Sequence, residues 1–381
     1  MEKSKVVIVP CNNYDDELVY QKVKEGLELL GGLKSIISQE EKILVKPNLL
    51  KPLDPSKVAT THPAVFGALL RCLKEEGYLD IKYGDSSAIG ANATVEEIAN
   101  ITGLKKYADK YEVSLGDFDN SQTVNYKEGK VAKKFVLCNS VVDSDAIISV
   151  SKMKTHALVK ITGAIKNMYG CIYLGNKAIG HAKYPNSAIF SKMLIDLNKV
   201  VNARFHIMDG IMAMEGNGPG SGDPIMMNVI LMSKDPVALD SVYARLVDLK
   251  PEYVLPCLYG EKYGLGNMQY NNIEIISPDG VISDKEAFEK YGNPNFTVNR
   301  KKQSFWDIKL MMSKKAKPKH MPVVDLDKCI GCGICEKACP VEGKAVHSGS
   351  GKKASYDYSK CIRCYCCQEL CPEKAISRKD C

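Results

Sequence analysis

The sequence predicts an α/β protein: a large, mostly parallel sheet with flanking helices, joined to a small, separate cysteine-dense module. Three observations carry that expectation. Short β-rich runs alternate with helix-length amphipathic segments before residue 300, nine of the 15 cysteines fall between residues 329 and 371, and a strongly basic stretch separates the two regions. At 381 residues and 45% hydrophobic content, the chain can bury a sizeable core in two or three domains. The expected divisions are 1–299 for the α/β domain, 300–320 for a basic linker and 321–381 for the module.

In chain order, the β-rich runs are KVVIVP (5–10), KILVKPN (42–48), DIKYGD (80–85), DAIISV (145–150), FHIMDG (205–210) and IMMNVILMS (225–233). Helical patterns cover 15–30, 63–76 and 93–110, and such alternation is the pattern of parallel strands joined by crossover helices. Thr61-His62-Pro63 places a capping residue before a first-turn proline, marking a helix start. A mixed or antiparallel region is expected around 113–137.

No apolar run approaches the roughly 18 residues that cross a bilayer. The start MEKSKVVIVPCNNYDDE has too short an apolar stretch and too many acids for an export or transit signal. A cytoplasmic protein without a transmembrane segment is expected, and there clustered cysteines read as metal ligands rather than disulfides. The formal charge of +7 is local: residues 300–320, RKKQSFWDIKLMMSKKAKPKH, hold eight Lys/Arg against one Asp, and the rest of the chain is neutral. One basic strip on a neutral body is not a nucleic-acid footprint, so no nucleic-acid partner is expected. The strip reads as a solvated tether or, through FWDIKLMM (305–312), as a docking strip for an acidic redox partner or an anionic surface.

The module contains an internal repeat. DLDKCIGCGICEKACP (325–340) and DYSKCIRCYCCQELCP (357–372) align cysteine for cysteine, which implies pseudo-twofold packing. Cys329, Cys332, Cys335 and Cys339-Pro340 form C-x2-C-x2-C-x3-C-P; Cys361, Cys364, Cys367 and Cys371-Pro372 form it again. Three thiolates two residues apart reach three corners of an iron-sulfur cube from one tight loop, while the cysteine before proline turns toward the other cube. The alternative, a pair of structural zinc sites, is usually built from paired C-x2-C knuckles. The eight positions with both prolines resemble the bacterial two-cluster 4Fe-4S ferredoxins. That resemblance implies a small α+β ferredoxin-like domain with two 4Fe-4S clusters, one on Cys329, Cys332, Cys335 and Cys371 and the other on Cys361, Cys364, Cys367 and Cys339. Cys366 has no place in the pattern. So small a module builds little core without its metal, so the clusters are expected to hold it folded as well as to carry electrons.

The polar residues of the large domain gather where β-rich runs end. Lys46-Pro47-Asn48 follow KILV, Gly84-Asp85-Ser86-Ser87 follow DIKY, Lys152, Lys154 and His156 follow AIISV, and Asp209-Gly210 follow FHIM. In open parallel sheets ligands bind beyond the carboxyl ends of the strands. Within SVSKMKTHALVKITGAIKNMYGC (149–171), His156 and Lys160, Thr162 and Lys166, and Gly163 and Asn167 are four apart and share a face if the segment is helical. Ammonium groups with the amides of Gly163 and Gly170 suit an anion, phosphate or carboxylate. The expected anion-binding set is Lys46, Asn48, Asp85, Lys152, Lys154, Lys160, Asn167 and Asp209. His156 or Lys166 would supply a proton, and Asp85 and Asp209 would orient the lysines or bind a metal. Each lysine taken singly also fits a solvated basic helix. His62 either enters the site or caps its helix. Cys11 and Cys171 read as small buried hydrophobes. GNGPGSGD (216–223) precedes a strand and so lacks the setting of a dinucleotide loop; it reads as a lid or a long turn.

KMKTH…GAIKNMYG joined to a two-cluster tail resembles the domain of unknown function 362 family of anaerobic bacteria and archaea. The resemblance runs from KILVKPN through KDPVALD (234–240) to the module. It implies an iron-sulfur protein of cytoplasmic redox metabolism. The function expected is an oxidoreductase that takes low-potential electrons from a redox partner protein through its clusters to an anionic small-molecule substrate or cofactor in the lysine-rich crevice. Two other classes stay open: a carrier or scaffold that docks a partner enzyme, and an iron-sulfur or metal maturation factor.

Overall fold

The computed structural model describes residues 3–86, 93–184, 186–302 and 320–380. Ser87 and nearly all of the basic segment, including FWDIKLMM, lie outside the described residues.

The large domain is built on one ten-stranded sheet. Its strands are β1 (Ser4–Pro10), β2 (Ile43–Pro47), β3 (Ile81–Tyr83) and β4 (Ser114–Leu115). A separate antiparallel hairpin, β5 (Ser121–Asn125) with β6 (Lys134–Cys138), fills the mixed region expected around 113–137. The sheet continues with β7 (Ala146–His156), β8 (Lys160–Thr162), β9 (Phe205–Glu215), β10 (Asp223–Ser233), β11 (Ile273–Ser277) and β12 (Gly280–Ile282). The spatial order is β12-β11-β1-β10-β9-β7-β2-β3-β4, with β8 hydrogen-bonded to β7. β11, β1, β9, β7, β2, β3 and β4 point one way; β8, β10 and β12 oppose them, so the sheet is mixed with parallel strands in the majority.

Helix starts follow local chemistry. Asp15 caps Asp16–Leu29, His62 caps Pro63–Glu75 with Pro63 in the first turn, and Thr94 with Glu97 closes a capping box on Val95–Ile101. The helical pattern at 93–110 breaks at Gly103, which sits at φ +78° and starts a second helix, Leu104–Lys110. Helices 16–29 and 63–75 cover one face of the sheet, over Val7, Val9, Val45, Ile148 and Ile207. Helices Ser187–Val201, Pro236–Leu246 and Leu255–Lys262 cover the other, over Ile8, Leu44, Ile147, Met208 and Leu231.

Two strands run further than their hydrophobic cores indicate. β7 continues past Val150 to His156, and β9 past Gly210 to Glu215. β2 stops pairing at Pro47↔Val150, and β7 then takes β8 as partner, with Lys154↔Thr162, Thr155↔Ile161 and His156↔Lys160 in register. The polar extension therefore keeps its backbone hydrogen-bonded. The lysines that were expected after a strand lie on it, and His156 and Lys160 face each other across a hairpin rather than sharing a helix. Lys160 turns that hairpin at φ +72°. Helical backbone begins only at Ala164–Asn167.

The module has its own small core around Cys335, Cys339, Cys367, Cys371, Val346 and Ile376. β13 (His320–Val324) pairs with β16 (Ile376–Asp380), and β14 (Val346–Gly349) with β15 (Lys352–Tyr356). The repeats contribute the matching short helices Ile334–Ala338 and Cys366–Leu370.

Candidate functional site

At the carboxyl end of β2, Lys46 is fully buried and ion-pairs with Asp85 at 2.9 Å, while its Nζ donates to Asn167 Oδ1 at 3.2 Å. Asn48 Nδ2 donates to the same oxygen at 3.1 Å, and Lys154 Nζ donates to Asn48 Oδ1 at 2.8 Å and to the Ala59 carbonyl at 2.6 Å. Asp85 Oδ2 accepts the Leu49 N–H at 2.8 Å. These contacts form one connected network, and such buried charges persist only when paired or hydrogen-bonded. Gly170 is required beside it, because any Cβ there would collide with Asp85 Oδ1 and approach Lys46 Nζ to 2.6 Å. The short helix Ala164–Asn167 is held in turn by Asp240, whose carboxylate accepts the N–H groups of Ala164 at 2.6 Å and Ile165 at 3.1 Å. Burial pushes the Asp240 carboxyl up to about 7 against those two donors.

Beside this network lies a cavity of about 80 Å³, closed on one side by the module. Lys166, Lys177, Asp85, Glu369, Tyr169 and His181 supply its chemistry, and Leu49, Leu50, Ala338, Cys366 and Leu370 most of the remaining wall. Lys166 Nζ stands 5.1 Å over the Tyr169 ring and has no hydrogen bond or ion pair among the described residues. Burial pushes its ammonium down, opposed by the Glu369 carboxylate. Lys177 donates to the Ser86 carbonyl, and burial brings it down to about 8. His181 stacks on Phe190 at 4.9 Å, edge-on to Tyr169, with Nδ1 buried and unpartnered among the described residues.

The module is tied down around the cavity. Glu369 Oε1 lies 3.0 Å from His156 Nε2. Because His156 Nδ1 accepts the Leu158 N–H at 3.0 Å, the single ring proton sits on Nε2, the nitrogen nearer that carboxylate. Gln368 Nε2 donates to the Asn217 carbonyl at 2.8 Å, Asn217 Oδ1 at 2.9 Å and the Gly218 carbonyl at 3.1 Å. Lys374 Nζ reaches the Gly222 carbonyl at 2.9 Å, Lys51 Nζ the Glu369 carbonyl at 3.2 Å, and Arg378 Nη1 the Ala157 carbonyl at 2.7 Å. GNGPGSGD is thus the β9–β10 connection on which the module sits; at Gly220 a Cβ would lie 2.5 Å from the Glu369 carbonyl oxygen.

Within the module, Cys329, Cys332, Cys335 and Cys371 line one cavity, and Cys339, Cys361, Cys364 and Cys367 another. These are the two cross-linked sets implied by the ferredoxin resemblance. Among the described residues no three His, Cys, Asp or Glu side chains converge on a single-ion position, so the two four-sulfur cavities suit a cluster better than one ion. Each cavity also has donors aimed at its sulfurs. Ala354 N–H reaches Cys329 Sγ at 3.4 Å and Ala375 N–H reaches Cys371 Sγ at 3.3 Å; Ala345 N–H reaches Cys339 Sγ at 3.3 Å and Tyr356 Oη reaches Cys367 Sγ at 3.2 Å.

The structure gathers Lys46, Asn48, Asp85, Lys154, Lys166 and Asn167 at or directly behind the cavity, and separates the other expected residues from it. Lys152 and Asp209 pair with each other at 2.7 Å, and Tyr14 and His62 are their companions: Tyr14 Oη donates to Asp209 at 2.8 Å and stacks on His62 at 3.5 Å. This fully buried pair stitches β7 to β9, so Asp209 is taken and does not serve a metal or lysine in the cavity. Lys160 reaches away, to the carbonyls of Asn299 at 2.8 Å and Lys301 at 2.7 Å. His156 is behind Glu369 rather than in the cavity wall, and burial with the Lys166 charge pushes its imidazole down. His62 caps its helix, accepting the Ala64 N–H on Nδ1. Sequence reasoning missed Tyr169, Lys177, His181, Cys366 and Glu369. The signal for the last two was in the repeat, where they replace Ile334 and Lys337 of the first half.

An α/β domain with a docked iron-sulfur module at the carboxyl edge of its sheet defines the class. Residues 43–245 match the domain of unknown function DUF362, and residues 321–372 match a 4Fe-4S dicluster domain. The chain belongs to the DUF362 family and is an iron-sulfur protein with a 4Fe-4S ferredoxin-type domain. The thylakoid-associated protein sll1697 of Synechocystis sp. is 28% identical over 261 residues, covering 68% of this chain and 79% of that protein. Among solved structures, the lactate racemase apoprotein of Thermoanaerobacterium thermosaccharolyticum aligns with TM-score 0.44 and 13% identity, over 64% of this chain and 57% of that one. A Thermotoga maritima protein aligns with TM-score 0.38 and 16% identity, over 65% and 60%. The chain spans less than two thirds of either solved chain. No described helix is long and apolar enough to cross a membrane.

Proposed function

We propose that the protein is an oxidoreductase that passes electrons from two 4Fe-4S clusters to an anionic substrate or cofactor in the cavity between its two domains. One observation carries the reading: the wall containing Ala338, Cys366 and Leu370 also neighbours Cys339, Cys367 and Cys371 in the chain, so the cavity and the cluster cysteines share a boundary one residue thick. Clusters on the two cysteine sets would supply two low-potential electrons, each one at a time. Lys166, which lacks a partner among the described residues, holds the anion and is the group placed to give it a proton. Lys46, Asn48, Asp85, Lys154 and Asn167 fix the cavity floor. Glu369 seals the module against His156 and excludes water from the shared wall. Electrons arrive from an external redox partner, and the set with the exposed Cys332 is the outer of the two.

The test is an anaerobic preparation with iron and sulfide analysis, native mass spectrometry of any bound anion, and reoxidation of the reduced protein by that anion. Lys166→Ala is expected to keep iron, sulfide and the cluster spectrum while losing the anion and slowing reoxidation at least about tenfold. Full cluster content, with no anion bound and reoxidation unaltered by the substitution, would leave the carrier or scaffold reading in its place.

A further inference from the structure

We propose that the cavity selects a small monocarboxylate with an apolar body, an inference that rests on the oxidoreductase reading and specifies its substrate class. The first argument is charge. Lys166 and Lys177 line the cavity against Asp85 and Glu369, and Lys46 stands immediately behind Asp85 at 2.9 Å. The nearby imidazoles add nothing: His156 carries one proton, on the nitrogen 3.0 Å from Glu369, and burial pushes His181 down to about 3. Lys154, also behind the cavity, is set apart: its Nζ is met by Asn48 Oδ1 and the Ala59 carbonyl, and burial works strongly against its charge. Of the rest, three ammonium groups against two carboxylates leave one positive charge to be met.

Geometry says which one. Asp85 is taken by Lys46 and the Leu49 N–H, Glu369 by His156, and Lys177 by the Ser86 carbonyl. Lys166 stands over the Tyr169 ring, feels the Glu369 and Asp85 carboxylates only at a distance, and has no hydrogen bond or ion pair among the described residues. A single carboxylate satisfies it. A dianion would bury a surplus negative charge beside two thiolate-rich cavities, and a neutral ligand would leave the ammonium unmet. Among the described residues no arginine lines the cavity to grip a phosphate in two-pronged fashion. Asn48, Ser86 and Asn167 line the polar side with the charged groups, while Leu49, Leu50, Ala338, Leu370 and the Tyr169 face form an apolar stretch of wall, so the body behind the carboxylate is hydrocarbon or aromatic.

The experiment is calorimetric titration of the oxidised holoprotein at neutral pH with butyrate and benzoate, each beside a dianion and a neutral counterpart: succinate and butyramide, phthalate and benzamide. At least one monoanion is expected to bind about tenfold or more tightly than both of its counterparts. Lys166→Met should weaken that monoanion to the level of its amide, a loss of about 10- to 100-fold, with the cluster absorbance unchanged. Lys166→Arg, which keeps the charge, should stay within a few fold of the parent and so separates lost charge from a disturbed module. Failure of both monoanions, equal or tighter binding of a dianion, or an affinity indifferent to Lys166→Met overturns the proposal. Oxidised protein needs no electron flow: a monoanion that binds in a protein that never reduces any acceptor leaves this inference standing and removes the oxidoreductase reading. Reoxidation by a dianionic acceptor, slowed by Lys166→Met in a protein that binds neither monoanion, does the reverse.

Discussion

Residues 329–340 and 361–372 carry their cysteines at the same spacing, and the backbone takes the same path through both. Gly331 and Gly333 lie at φ +68° and +78°; their counterparts Arg363 and Tyr365 lie at +59° and +65°. The first half meets the left-handed turns with glycine, and no side chain fits at Gly331, where a Cβ would collide with the backbone of Gly351. The second half holds the same turns with large residues: Tyr365 is buried with its hydroxyl 2.6 Å from His320 Nδ1, and Arg363 donates to the Cys361 carbonyl at 2.7 Å. The short helices then diverge by environment. Glu336 accepts the Ser348 N–H within the module and Lys337 is exposed, whereas Gln368 and Glu369 at the matching positions are buried against the large domain. One cluster motif has been used twice; the second copy makes polar contacts to the large domain through Gln368 and Glu369, while the first reaches the shared cavity through Ala338.

Exchanging residues between the copies tests that asymmetry. Glu369→Lys, which installs the first copy's residue, buries a cation beside His156 and Lys166. It is expected to weaken docking by about 3–5 kcal/mol, seen as faster amide exchange across 216–223; Lys337→Glu should change little. Unaltered exchange in Glu369→Lys would mean that the interface does not depend on this carboxylate. Gln368→Glu removes the donor to three oxygens and places a carboxylate against them, for a loss of about 1–3 kcal/mol. Glu336→Gln, by contrast, should stay within about 0.5 kcal/mol. Equal thermal shifts from the two would erase the distinction.

A smaller effect concerns pH. Lys177, brought down to about 8 by burial, is faced by Asp85, Lys46, Cys138 and Lys166. Its folded value lies below the unfolded one, so the charge is present at neutral pH and lost as pH rises through about 8. Monoanion affinity should fall about tenfold across that window as the surplus positive charge disappears, and Lys177→Gln should be weak and flat. A parent profile that is already flat would remove Lys177 from the charge balance. The smallest effect is Arg363→Gly. It relieves a left-handed φ worth about 1–2 kcal/mol but gives up one hydrogen bond and some chain stiffness, so a net gain of about 1 kcal/mol or less should raise the temperature of cluster loss by a few degrees. A lowered temperature would show that the Arg363 contact outweighs the strain.

Much of the architecture was legible. The β-rich runs at 5–10, 42–48 and 80–85 are strands, helices begin at Asp16 and Pro63 where capping residues stand, and the two cysteine sets line two cavities. Half of the cavity was legible as well, because Lys46, Asn48, Asp85, Lys166 and Asn167 sit near strand ends or on the segment that follows β8. Lys152, Asp209 and Lys160 misled for a physical reason. Alternation along β7 and the hairpin with β8 decide which way a side chain points, and both depend on partners that lie far along the chain.

The sequence by itself determined the local features: strand and helix periods, caps at Asp15, His62 and Thr94, and an eight-cysteine spacing that dictates which sulfurs one loop can reach. It also recorded, in the differences between the two repeats, that one copy has a task the other lacks. Only the tertiary structure decided what that task is. A buried charge declares its role through its partner, and the partners of Lys46, His156 and Glu369 are 39, 213 and 213 residues away along the chain. Lys166 is distinguished from its neighbours by having no hydrogen bond or ion pair among the described residues, which is visible only once the module has closed over it.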